Sequence, residues 1–366
     1  MLAMRGQVIK LSHLLRRSAR GTPVLNEATR TCPLQQSNIR NMSSASKPKV
    51  YVTNYDIPKK GLDLLNKSCD VVQWQSRETI TREQLIKNVK GIDALFCILT
   101  DKIDGTLLDA CGPQLKAVGT MSVGYDHIDM KACKERGIPV GFTPDVLTDA
   151  TAELTVALLL ATSRRLMEGA GAVRSGEWGM WNPQWMCGQG LHHSTVGIFG
   201  LGRIGLAVAK RLRPFGISRL LYSGRKENPA AKEVDAEFVS FDTLLRESDF
   251  VIAGCALNSE TKEIFNEDAF KKMKPTAIFV NSSRGGVVNQ KALYDALKSG
   301  QIRAAGLDVT TPEPLPTDSP LLDLKNCVVL PHIGSATVEA RNAMAELTAR
   351  NILAALNGEQ MPCQIE

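Results

Sequence analysis

An arginine, a glutamate and a histidine each stand a few residues past a strand-like apolar run, and those three side-chain types together can reduce a carbonyl. Arg284 follows 277–281 through Ser282 and Ser283, Glu313 lies in Thr311-Pro312-Glu313-Pro314 after 304–309, and His332 follows 327–330 in Pro331-His332-Ile333-Gly334-Ser335. A guanidinium is a planar fork that holds a carboxylate and polarises a neighbouring carbonyl. An imidazole trades a proton near neutral pH, and a carboxylate on its other nitrogen orients the ring and favours the imidazolium. Set around a hydride source, the three would reduce a 2-keto acid, hydride reaching the carbonyl carbon and a proton from His332 reaching its oxygen. Singly each has a plainer reading: Arg284 as an ion-pair partner, Glu313 as a turn residue, His332 as a satisfied loop histidine. Their shared placement after successive strands favours the chemical one, because ligands of a parallel sheet bind beyond the carboxyl ends of its strands.

A hydride source has its own signature in the chain. Five strand-prone residues, 195–199, run into Gly200-Leu201-Gly202-Arg203-Ile204-Gly205, and Ile204, Val208 and Leu212 then fall at helical spacing. In such a unit Gly200 permits the turn, Gly202 lets a pyrophosphate approach the backbone, Gly205 lets the helix pack on the sheet, and the helix N-terminus offers free N–H donors. The bare spacing also occurs in ordinary Gly-rich turns, but here it has the strand before it and the helix after it. A dinucleotide that binds without a 2'-phosphate needs an acidic residue about 20 residues on. The chain has Ser223-Gly224-Arg225-Lys226 there. With no carboxylate to repel a phosphate and two cations to meet one, NADPH is expected, with NADH weaker.

These elements need a scaffold, and the pattern supplies two. Strand-like runs at 50–53, 71–74, 94–99, 117–121 and 140–143 alternate with helical patterns near 59–66, 82–89, 106–110 and 129–136, which means a parallel sheet without a phosphate turn of its own. A second series follows at 195–199, 219–223, 250–254, 277–281, 304–309 and 327–330. Between the two, 144–165 reads as a loop and a long helix with Thr148 or Asp149 as its cap. The fold class expected is therefore α/β, two doubly wound Rossmann-like parallel-sheet domains with a cleft between them. The helical tail 338–356 is expected to return to the first, which would be a discontinuous lid over 47–146 and 338–366 that binds substrate. The dinucleotide domain would be 147–337. An irregular stretch with Trp178, Trp181 and Trp185 could line a pocket or, more plainly, pack against a domain or subunit neighbour.

Composition excludes several classes. At 366 residues with 43% hydrophobic and 22% charged residues the chain is of globular type, and its longest apolar-rich segment, 154–161, is too short to span a bilayer. Nine scattered cysteines without a Cys-x-x-Cys suggest neither a disulfide framework nor a zinc ribbon, and no metal-ligand spacing is present. The net charge of +6 is local: residues 1–46 hold seven Lys or Arg and one acid, and 44 less 7 and 38 less 1 leave 37 of each sign in the body. No global field favours nucleic acid. That Arg- and Ser-rich segment has the profile of a mitochondrial presequence, with a disordered basic tail as the alternative, and Met42 could start a cytoplasmic form. Of the remaining histidines, His127 reads as part of a structural turn and His192 and His193 as exposed loop residues.

With those residues in view, the chain from about Lys49 to Gln364 resembles the D-isomer-specific 2-hydroxyacid dehydrogenases, through 200–205, 280–285, Gly306-Leu307-Asp308-Val309 with Glu313, and Pro331-His332-Ile333-Gly334. Within that family the longest matches, at 120–124, 141–149 and 306–316, are to the glyoxylate and hydroxypyruvate reductases of vertebrates. The resemblance implies that Arg284, Glu313 and His332 are catalytic, and that Ser122, Val123 and Gly124 receive the substrate carboxylate with Arg284, His332 and Ser335. It also implies a homodimer, a small 2-keto acid as substrate, and Asp308 on the nicotinamide side. The full set of expected cofactor contacts is Gly200, Gly202, Arg203, Ile204, Gly205, Gly224, Arg225, Lys226, Ala256, Ser282, Asp308 and Gly334. Two rivals stay open. One is a sibling dehydrogenase of another 2-keto acid; the 3-phosphoglycerate type is disfavoured because many of its members carry a further regulatory domain and only 34 residues follow His332. The other is a dinucleotide-sensing binding protein of the corepressor kind, which the neutral body and the basic leader disfavour.

Overall fold

The computed structural model describes residues 46–366; the basic leader up to Ala45, with Met42, lies outside the described residues. The first sheet is built from β1 (Lys49–Val52), α1 (Lys59–Ser68), β2 (Asp70–Gln73), α2 (Arg82–Asn88), β3 (Ala94–Cys97), α3 (Gly105–Cys111), β4 (Ala117–Thr120), α4 (Met130–Glu135) and β5 (Val140–Gly141). Its strands lie in the order β2-β1-β3-β4-β5, all parallel. Central β3 and β4 are buried at every position, which is why they read as unbroken apolar runs rather than alternating ones. Thr81, Asp104 and Asp129 cap the helices with side-chain oxygens, satisfying N–H groups that a helix leaves orphaned.

The long helix expected within 144–165 is α5 (Thr148–Ser163). A second helix, α6 (Leu166–Ser175), was not foreseen and follows it where irregular chain was expected, the two parted at Arg165, whose backbone is left-handed at φ 53°. Glu168 grips the Arg165 guanidinium at 2.8 and 2.6 Å. Thr148 and Asp149 lie inside the first turn and do not cap it; Leu147 holds the cap position without a side-chain bond. The Asp149 carboxylate is instead paired with Arg211 at 2.8 Å.

The second sheet takes β6 (Thr195–Phe199), α7 (Arg203–Leu212), β7 (Arg219–Ser223), β8 (Ala236–Phe238), α8 (Phe241–Glu247), β9 (Phe250–Ala253), α9 (Glu267–Lys272), β10 (Ile278–Asn281), α10 (Gln290–Ser299), β11 (Ala304–Leu307) and β12 (Cys327–Val329). The order is β12-β11-β10-β9-β6-β7-β8, again parallel throughout. Strand β8 was not foreseen: it is a three-residue edge strand without an apolar run. The order reverses between β6 and β9, which opens the crevice where a doubly wound sheet binds its ligand.

Helix α11 (Val338–Leu356) returns to the first sheet. Ala345, Ala349 and Ile352 share one core with Val50, Phe96 and Ala117, and Asn351 Nδ2 donates to the Phe142 carbonyl at 2.9 Å. Three glycines admit the helix: a Cβ on Gly61 would meet the Ala345 carbonyl oxygen at 2.6 Å, one on Gly119 would meet Ile352 at 2.8 Å, and one on Gly141 would meet the Asn351 Cβ at 2.6 Å. No helix among the described residues is long and apolar enough to cross a membrane.

Candidate active site

The glycine turn after β6 is shaped by contact at two positions and by open space at the third. Gly200 has φ 102°, and a Cβ there would strike the Gly254 backbone at 2.7 Å; one on Gly205 would strike the Gly200 oxygen at 2.3 Å. Gly202 has nothing within 4 Å of where its Cβ would be. It is also the N-cap of α7 and supplies no side-chain bond, so the first N–H groups of that helix are left for an anion. The donors and the clearance together fit a dinucleotide pyrophosphate. Ile204 packs into the core beneath, and Arg203 reaches sideways to Asp145, Nε to Oδ1 2.8 Å. Past β7 the buried Ser223 gives way to exposed Gly224, Arg225 and Lys226. Asn228 pins this loop against the turn: its Nδ2 donates to the Leu201 carbonyl at 2.5 Å, and its backbone N–H donates to the Tyr222 hydroxyl at 3.0 Å. Sequence reasoning missed Asn228, although an Asn before Pro is a recognisable turn-opening signal. Ala256 lies exposed after β9, and the Ser282 hydroxyl after β10 meets that of Thr155 on α5 at 2.6 Å.

His332 and Glu313 meet where expected of a proton-transfer pair. His332 Nδ1 lies 2.8 Å from Glu313 Oε2, while Glu313 Oε1 accepts the Thr310 N–H at 3.0 Å. Burial alone would push the Glu313 carboxyl up, but the His332 bond and charge, the Thr310 N–H and the Arg284 charge outweigh it and hold the group below the usual range. His332 is itself in the left-handed region at φ 53°, costly for a residue with a Cβ. Asp308 holds it there. That carboxylate, 1% exposed, accepts the N–H groups of Ile333 and Gly334, both at 2.8 Å, and the Asp308 carbonyl accepts the His332 N–H at 2.8 Å. Burial raises the Asp308 carboxyl despite those bonds.

Arg284 enters the same space from β10. It lines a cavity of about 280 Å³ with Glu313, His332, Leu99, Asp126 and His127. A larger cavity of about 950 Å³ opens on the other side of His332 and Glu313, towards Asn54, Thr100 and Arg341. Ser335 follows, half-buried, outside both linings. Opposite Arg284 stands the 122–124 turn. Ser122 Oγ donates to the Gly124 carbonyl at 2.7 Å, Thr120 Oγ1 lies 2.8 Å from Ser122 Oγ, and His127 Nε2 lies 3.0 Å from Thr120 Oγ1. Val123 packs against the core of the first sheet. Desolvation lowers His127 to about 4, Arg284 acting in the same direction and Asp126 against it. The exposed rings of His192 and His193 lie with centroids 3.7 Å apart, tilted by 47°. Trp178, Trp181 and Trp185 are 64, 79 and 42% exposed and line neither cavity.

Comparison with known proteins places this geometry among relatives. Residues 156–334 match the family described as D-isomer specific 2-hydroxyacid dehydrogenase, NAD binding domain. The chain is 55% identical over 321 residues to the glyoxylate reductase/hydroxypyruvate reductase of Homo sapiens, covering 87% of this chain and 98% of the relative. It is 47% identical to the glyoxylate reductase of Thermofilum pendens, covering 87% and 95%. Among solved structures it is similar to an NADPH-dependent glyoxylate/hydroxypyruvate reductase from Sinorhizobium meliloti in complex with NADP and malonate, with TM-score 0.76, 30% identity and coverage of 87% and 97%.

The low His127 value has a consequence for stability. An unfolded histidine takes up its proton near pH 6.5, whereas the folded one stays neutral until about pH 4. The unfolded state therefore binds more protons as pH falls, and stability present above about pH 6.5 is lost through that window by up to about 3 kcal/mol. Urea midpoints between pH 7 and 4.5 should fall less steeply for His127→Gln than for the parent protein; equal slopes would show that the ring is not enclosed as described.

Proposed function

The chain belongs to the D-isomer specific 2-hydroxyacid dehydrogenase family, and from that membership and the geometry of the cleft we propose that it reduces glyoxylate to glycolate and hydroxypyruvate to D-glycerate. The observation that carries the reading is the His332–Glu313 contact of 2.8 Å on the same cavity wall as Arg284. Glu313 occupies Nδ1, which leaves Nε2 of His332 to donate to the substrate oxygen. The Val123 and Gly124 backbone and the Arg284 fork receive the carboxylate and fix the carbonyl between them. With its pyrophosphate on the 200–205 turn, a bound nicotinamide dinucleotide would supply the hydride. As charge grows on the carbonyl oxygen, the guanidinium and the imidazolium face it in a partly shielded site. In this reading 47–146 with 338–366 is the substrate-binding lobe and 147–337 the dinucleotide lobe. Replacing His332 with Gln should lower turnover by about 10²- to 10⁴-fold. Glu313→Gln should move the pH profile of reduction towards acid, because the imidazolium loses its carboxylate. A His332→Gln protein that reduces hydroxypyruvate at the parent rate would sink the scheme.

The finer cofactor reading is NADPH over NADH. It is supported by Arg225 and Lys226 beyond β7, exposed and in no ion pair among the described residues, and by the Sinorhizobium relative described as NADPH-dependent. Charge-assisted bonds to a 2'-phosphate are worth about 1.5–3 kcal/mol, a preference of at least about 10-fold. Arg225→Ala should raise the Michaelis constant for NADPH selectively at fixed ionic strength; an equal change with NADH, or none with either, would refute it.

Two assignments rest on surface and sequence features. The exposed Leu166, Met167 and Val173 of α6 continue into Trp178, Met180 and Trp181, an apolar face suited to a second copy of the chain; sedimentation at the mass of one chain would overturn the homodimer. Residues 1–46, with seven basic residues and one acid, would direct the chain to mitochondria, with a start at Met42 giving a cytoplasmic form. A reporter carrying 1–46 that stays cytosolic would overturn that.

A further inference from the structure

We infer that Asp126 is a positioning residue for carboxylate recognition, an anchor reaching across the cleft that fixes one edge of Arg284 so that the other edge is presented to the substrate. The inference deepens the reductase reading and rests on it. Arg284 Nε donates to Asp126 Oδ1 at 2.9 Å, over a separation of 158 residues. Arg284 Nη1 donates to the Ser283 carbonyl at 2.9 Å. Nη2 is the end that remains, and it lies so close to Gly124 that a Cβ on that residue would sit 1.8 Å away. The Gly124 backbone and Nη2 therefore form one receiving edge, and the two bonds behind it set the plane of the fork.

Asp126 suits this role because its own loop is held on both sides. Before it, Tyr125 meets Phe142 edge-on with centroids 6.2 Å apart. After it, the His127 carbonyl accepts the Ile103 N–H at 2.9 Å and Asp129 N–H donates to the Ile103 carbonyl at 2.8 Å. The His127 ring is tied to Thr120. An unpaired arginine loses about 2 kcal/mol of rotamer freedom on ordering, and the Asp126 bond removes that loss from the binding step. The pair is partly shielded, with side chains 21% and 30% exposed, so water screens it less than an open surface pair. Asp126 follows β4 of the first sheet and Arg284 follows β10 of the second. The receiving edge is thus complete only when the two sheets face each other as they do here.

The test is a double-mutant cycle on the full chain with NADPH bound, using the parent, Asp126→Asn, Arg284→Lys and the double variant. Its readouts are the KM for hydroxypyruvate, the affinity for oxamate as an unreactive 2-keto acid analogue read by fluorescence of bound NADPH, and the affinity for NADPH itself. Asp126→Asn should raise the KM and weaken oxamate by about 10-fold each, with Asp126→Ala larger, and leave NADPH affinity within about 2-fold. In the Arg284→Lys background the Asp126 change should add less than about 2-fold, because the two residues act as one unit. Losses that multiply, an equal loss of NADPH affinity, or a parental Asp126→Asn would overturn the inference. A parent that binds oxamate but reduces no 2-keto acid would defeat the reductase reading alone, and the oxamate cycle would still decide the role of Asp126. A parent that does neither overturns both.

Discussion

A single buried carboxylate holds the chemistry of this fold in place. Asp308 at the end of β11 accepts two successive N–H groups from the segment after β12, and that grip holds His332 in a backbone conformation few residues adopt. Without it the turn would relax out of the left-handed region and carry the imidazole away from Glu313. The carboxylate is almost fully enclosed, so its bonds are not traded against water and an unmade one would be costly. The strain at His332 is therefore sustained from beneath by a group that does not need to touch substrate.

Around that anchor the two sheets impose the rest. Parallel strands send every β-to-α loop out at one edge, so residues far apart in the chain share a cleft by topology alone. The glycines then set how closely the pieces approach. Gly61, Gly119 and Gly141 let α11 settle on the first sheet, Gly200 lets the turn after β6 pass the backbone after β9, Gly205 seats α7 against that turn, and Gly124 leaves room for the Arg284 fork. Gly202 differs from all of these. No neighbour forbids a side chain there, and the open space beside the free N–H groups of α7 fits a phosphate.

Much of this was legible in the residues because it is local. A G-x-G-x-x-G between a strand and a helix, apolar runs of four or five residues, and polar residues just past strand ends all report on neighbours within a turn or two, and the placement of Arg284, Glu313 and His332 on one cavity follows from the last of these. What was not legible depends on partners far away in sequence. Asp126 looks like any turn aspartate until Arg284 is seen beside it, and Asn228 gains meaning from a carbonyl 27 residues earlier. The reach of the Arg203 side chain to Asp145 likewise joins residues 58 apart in sequence. The break at Arg165 has no proline or glycine to announce it and is held by the Glu168 grip. Strand β8 is too short and too polar to register.

The charges of the cleft explain why geometry rather than net field must do the selecting. Arg284 is paired with Asp126 and His332 with Glu313, so each donor stands with a carboxylate already beside it. In the proposed reading an incoming carboxylate would meet no excess of positive charge. Long-range attraction is then weak, and affinity rests on short, oriented N–H donors whose desolvation has been met before the ligand arrives. Such an arrangement favours the small anion that fits between the donors over any larger anion that merely carries more charge. It also spares the bare protein an unpaired cation at a partly buried position, which would be costly.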